Sequence, residues 1–141
     1  MKDVIPEGFF ADALNPSHEE LVRWAYIEGA HYPPEMSEDW DLFVAAPQNR
    51  ELLVRLACDS KCPSRKFFLS CLYLMVGDAV RSKGHTWDLD DAAAWLLKVH
   101  VSLLPDVELF FRRAVHLLEF PNELEYEKWC DGGYAYERPE V

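Results

Sequence analysis

Hydrophobic and polar positions fall into helical spacing along almost the whole chain, and one segment stands apart because it is apolar on nearly every face. That segment, Phe67 to Val80, runs for 14 residues and is interrupted only by Ser70, Gly77 and Asp78. A helix that is hydrophobic all round cannot lie on a surface, so residues 63–83 are expected to form a central buried helix on which amphipathic helices pack. Pro63 pre-sets its first turn and Gly84 closes it.

The flanking segments read as shorter amphipathic helices. Asn15 and Pro16 form an N-cap and N1 pair for a first helix over 16–28, with Leu21, Trp24 and Ala25 on one face and Gly29 at its end. Ser37 caps a short second helix that turns Trp40, Phe43 and Val44 inward, and Pro47 breaks it. Leu52, Leu53 and Leu56 mark a third helix over 49–57. Thr86 or Asp88 caps a fifth, running to about Leu104, with Asp90 and Asp91 where negative charge meets the positive end of the helix dipole.

The sixth helix, 105–118, is the clearest: Val107, Phe110, Phe111, Ala114, Val115 and Leu118 recur at i, i+3, i+4, i+7, i+8 and i+11. Pro121 stops it and Asn122 caps a last short helix through about Cys130. No segment alternates apolar and polar between turn signals, so no strand is expected. The fold class is therefore all-α: a single-domain bundle of six or seven helices around the buried one, or a short helical-hairpin array, with irregular segments at 1–14 and 131–141. Trp40-Asp41-Leu42 recurs as Trp87-Asp88-Leu89 at an offset of 47 residues, near the length of a two-helix solenoid repeat.

Composition and charge narrow the function. Half of the 141 residues are hydrophobic and 13% aromatic, enough to build a core without covalent staples. Cys58, Cys62, Cys71 and Cys130 read as free thiols, and the compartment as cytoplasmic. No apolar run reaches the ~18 residues that span a bilayer, and Met1 to Pro6 lacks the pattern of a secretory signal. The net charge of -11 argues against nucleic acid and anionic membrane as partners. It is unevenly spread: residues 1–60 carry 12 acids and 4 bases, 61–100 carry 4 and 6, and 101–141 carry 9 and 4.

Short catalytic and phosphate-binding motifs are absent, so an enzymatic role is not favoured and no cofactor is expected. Cys58 and Cys62 could share a zinc with His31 or His85, but no second pair of ligands follows at a fixed distance, and no metal site is assigned. Lys61, Arg65 and Lys66 form a basic cluster at the start of the central helix, where an anion could bind. Asp78 places a carboxylate on a buried helix and needs a partner such as Arg81. His100 shares a face with Leu89, Ala93, Leu96 and Leu103; His116, lying among Arg112 and Arg113 on its helix, reads as surface.

Acidic segments that also carry aromatics suit docking of a basic, partly apolar partner. Asp39, Trp40 and Asp41 form one such segment; Glu125, Tyr126, Trp129 and Tyr134 belong to the other. The expected function is a noncatalytic acidic interaction module for a basic protein, of immunity, adaptor or chaperone type. The alternative is a small helical enzyme or ligand-binding domain whose site lies near Asp78, His100 and the Lys61, Arg65, Lys66 cluster.

Overall fold

The computed structural model describes residues 8–30, 32–33, 40–99 and 104–130. Among these the protein is all-α: α1 (His18–Ala25), α2 (Trp40–Val44), α3 (Arg50–Ala57), α4 (Arg65–Arg81), α5 (Leu89–Val99), α6 (Pro105–Glu119) and α7 (Tyr126–Cys130). Short 3-10 turns at Pro47–Asn49 and Pro121–Glu123 precede α3 and follow α6. By its internal contacts the chain divides into two compact units, residues 1–71 and 72–141, with the division inside α4.

Every residue of α4 from Cys71 to Gly77 is buried. At 3.6 residues per turn such a run covers all faces of a helix, as the apolar pattern requires. Pro63 and Ser64 lie in the turn before α4 and not within it. The Phe67 and Phe68 amides both reach back to the Ser64 carbonyl, at 3.0 and 3.4 Å.

In the first unit the core is a cluster of rings. Trp40 meets Trp24 edge-on at 4.9 Å, stacks on Phe67 at 5.4 Å and touches Phe10 at 5.2 Å. Its indole N–H donates to the Ala13 carbonyl at 2.8 Å, which fixes the non-helical segment before α1 against α2. α1 starts later than Asn15 and Pro16 would place it, because Ser17 is the N-cap. Ser17 Oγ accepts the Glu20 amide at 3.1 Å, and the Glu20 carboxylate accepts the Ser17 amide at 3.0 Å and the Ala11 amide at 3.0 Å. These amides of Ala11 and Ser17 hold the Glu20 carboxyl below its ordinary pKa.

α2 buries Trp40 and Val44 and leaves Asp41 half-buried, so its inward arc turns away from Phe43, which is 41% exposed. Asn49 is buried and donates its amide to the Val44 carbonyl at 2.9 Å. α1 packs on α3, and the Tyr26 hydroxyl after α1 donates to Asp59 after α3. That bond, with Asp59's charge, pushes the Tyr26 hydroxyl up to about 12.

In the second unit α5 and α6 pack on each other, and Tyr73 of α4 is the hub. Its ring meets Phe110 at 4.8 Å and Trp129 at 4.9 Å, both edge-on. α6 buries Val107, Phe110, Phe111, Ala114 and Leu117. The stripe is thus rotated toward Leu117, leaving Val115 exposed and Leu118 half-buried. Asp88 caps α5, its Oδ1 accepting the Asp91 amide at 3.0 Å, while Thr86 is bonded back to Ser82. The repeated Trp-Asp-Leu triplets therefore occupy different positions, since Asp41 lies inside α2 and Asp88 precedes α5.

The end of α4 shows a paired closure in which Gly84 N–H reaches the Ala79 carbonyl at 2.8 Å and Lys83 N–H the Val80 carbonyl at 3.0 Å. Lys83 takes a left-handed φ of 57° and Gly84 one of 88°. The first left-handed position is thus filled by a residue with a Cβ, at a cost of about 1 kcal/mol relative to glycine. Lys83→Gly is expected to stabilise the protein by about 0.5–1 kcal/mol and raise Tm by about 2–4 °C, read by thermal denaturation. A lower Tm would mean that the lysine side chain contributes more than its backbone strain removes.

Candidate functional site

The residues singled out from the sequence have divided fates. Asp39, His100 and Tyr134 lie outside the described residues, as does His31. In the first unit, Lys61 and Lys66 are exposed, but Arg65 turns back to donate to the Ala57 carbonyl at 3.2 Å, at the C-terminal end of α3. There a cation complements the negative end of the helix dipole. Cys62 is buried and its thiol donates to the Ala25 carbonyl at 3.4 Å; burial pushes that thiol up from its ordinary pKa. Among the described residues no group of three or more His, Cys, Asp or Glu side chains could hold a metal ion.

In the second unit, Asp78 is half-buried and not fully enclosed. Its Oδ1 accepts from Arg81 at 3.1 Å and from the Tyr126 hydroxyl at 2.5 Å, and the Arg81 guanidinium lies 3.9 Å from the Tyr126 ring centroid. The three side chains tie α4 to α7. Tyr126 is thus bonded within the unit, and Trp129 beside it is buried, with its indole N–H on the Tyr73 carbonyl at 2.6 Å. Trp40 is likewise a core residue. Neither tryptophan is available as a surface anchor, because each ring is already covered by others. Glu125 is exposed and Asp41 half-buried.

A groove that the sequence did not single out lies on α6. Leu109, Arg112, Arg113, His116 and Leu117 line it from the helix, at i, i+3, i+4, i+7 and i+8, with Glu123 and Trp129 closing the other side. These spacings put the five helix residues on one face, beside the core stripe. The chain reversal through Phe120 and Pro121 brings Glu123 back so that its Oε1 is 2.8 Å from His116 Nε2, and His116 also contacts the Phe120 ring at 4.8 Å. Arg113 donates to the Tyr73 hydroxyl at 2.9 Å. The groove has a volume of about 440 Å³. Chemically it offers an apolar floor with guanidinium and imidazole donors above it.

A different surface lies on the outer side of α5. Asp90, Ala94 and Leu97, at i, i+4 and i+7, are all exposed, Leu97 at 72%, with Asp91 beside them. In the first unit Leu42 and Phe43 are exposed next to Asp41. Both surfaces join carboxylates to apolar side chains. Comparison with protein-family models, with curated proteins and with solved structures finds no match for this chain. No helix among the described residues is long and apolar enough to cross a membrane.

Proposed function

We propose that the protein is a noncatalytic acidic interaction module that binds a basic protein partner, in the manner of an immunity protein, an adaptor or a chaperone, in the cytoplasm. The outer face of α5 carries the proposal: Leu97, exposed at 72%, lies two turns along the same face from Asp90, and Asp91 is also exposed in the first turn. Scattered exposed leucines are ordinary, but one that shares a helix face with an acid combines an apolar anchor with a charge that steers a cation. The net charge of -11 extends the same preference over the chain. The ligand-binding alternative draws its support from the α6 groove, since Asp78 and Arg65 already hold internal partners.

Affinity capture at two salt concentrations tests this. A basic protein retained at about 50 mM salt is expected to fall at least tenfold at about 500 mM, where the screening length shrinks below the reach of the face. Leu97→Lys is expected to abolish retention while leaving the fold intact, as the side chain is exposed. Retention indifferent to both salt and Leu97→Lys would overturn the proposal.

A further inference from the structure

We propose that the α6 groove is a binding site for a small amphipathic carboxylate, an organic monoanion with a flat apolar body. Its volume of about 440 Å³ lies in the range of small-molecule sites, roughly 300–1,000 Å³. Leu109, Leu117 and Trp129 supply an apolar floor, and Trp129 is held in place by its bond to the Tyr73 carbonyl at 2.6 Å. Arg113 is oriented by the Tyr73 hydroxyl at 2.9 Å, so one guanidinium of the groove is positioned before any ligand arrives.

Charge selects the ligand class. In a chain of net charge -11, this groove gathers Arg112, Arg113 and His116 against one carboxylate, Glu123, which lies 2.8 Å from His116. Arg112 is exposed at i+3 from Leu109 on the same helix face. A planar guanidinium matches a carboxylate with two parallel hydrogen bonds, which a lysine could not do. Glu123 at the rim disfavours a dianion, and the apolar floor leaves a bare inorganic anion without half of its contacts. A basic partner is repelled here, so this site is distinct from the outer face of α5.

The probe is 1-naphthylacetate, with neutral 1-naphthylacetamide and inorganic phosphate as comparators, titrated into the full chain and followed by amide chemical shifts. Naphthylacetate is expected to move the amides of α6 between Leu109 and Leu117 and the Trp129 indole N–H. The amide and phosphate are expected to bind at least tenfold more weakly. Arg112→Gln is expected to weaken naphthylacetate about tenfold or more, the usual scale for losing a charge-assisted hydrogen bond, with an unchanged circular dichroism spectrum. Glu123→Gln is expected to tighten it several-fold. The proposal is overturned by absence of α6 shifts at millimolar probe, by the amide or phosphate binding as tightly as the carboxylate, or by an Arg112→Gln affinity equal to the parent's.

Discussion

Trp40→Ala is expected to destabilise the protein by about 3–5 kcal/mol, the range for truncating a fully buried tryptophan. The side chain is 0% exposed, and its rings touch Phe10, Trp24, Tyr32 and Phe67. Removing it takes the shared neighbour from four aromatics at once, and the cavity cannot close by moving one of them alone. It also deletes the N–H that meets the Ala13 carbonyl, leaving that carbonyl without its buried donor. Trp40→Phe separates the two effects: most of the ring remains, and the loss should fall to about 1–3 kcal/mol, dominated by the unmade hydrogen bond. Denaturant titration of both variants gives the comparison. A loss below about 1 kcal/mol for Trp40→Ala would show that the first unit does not depend on this cluster, and would reopen Trp40 as a surface anchor.

That alternative role shows where the sequence stops being informative. Trp40 and Trp129 lie in acidic stretches, and a tryptophan there has the same local signature whether it anchors a partner or a core. Only the residues that come to cover it, Trp24 and Phe67 for one, Tyr73 for the other, decide between them. The helices themselves were legible, because periodicity is a local property: the all-round apolar run of α4 and the stripe of α6 both appear in the structure. Cap chemistry was legible to within two or three residues, with Ser17 and Asp88 doing what Asn15 and Thr86 could also have done. The closure of α4 at Gly84 was legible too, but the left-handed Lys83 before it was not, since nothing local distinguishes that pair from a left-handed Gly84 alone.

The α6 groove lies between these cases. Leu109, Arg112, Arg113, His116 and Leu117 share one face by spacing alone, a signal present in the sequence. It reads as a solvated helix surface until the turn at Pro121 and the seating of Trp129 supply the opposite wall. Those are contacts between segments, and periodicity within one segment cannot reveal them. For the same reason periodicity could not show that Arg65, in the basic cluster with Lys61 and Lys66, is drawn to the end of another helix.

The seating of Trp129 rests on Gly77, and Gly77→Ala is expected to reverse the usual sign of that substitution. Alanine in place of glycine inside a helix normally stabilises by about 1 kcal/mol. Here a Cβ on residue 77 would stand 2.7 Å from Trp129 Cδ1, 3.2 Å from its Nε1 and 3.5 Å from Tyr126 Cε1. The indole cannot easily retreat, being held by the Tyr73 carbonyl at 2.6 Å and packed on the Tyr73 ring. Overpacking of about 1–3 kcal/mol, together with about 1 kcal/mol for the strained hydrogen bond, outweighs the gain in helix propensity. The expected net loss is about 1–3 kcal/mol. In a Trp129→Ala background the obstruction is gone, and the same change should stabilise by about 1 kcal/mol, giving a coupling of about 2–4 kcal/mol in a double-mutant cycle. Gly77→Ala should also weaken naphthylacetate binding, because a displaced Trp129 removes part of the groove floor. If Gly77→Ala instead stabilises in both backgrounds, Trp129 does not seat against α4, and the groove loses the wall on which its ligand selectivity depends.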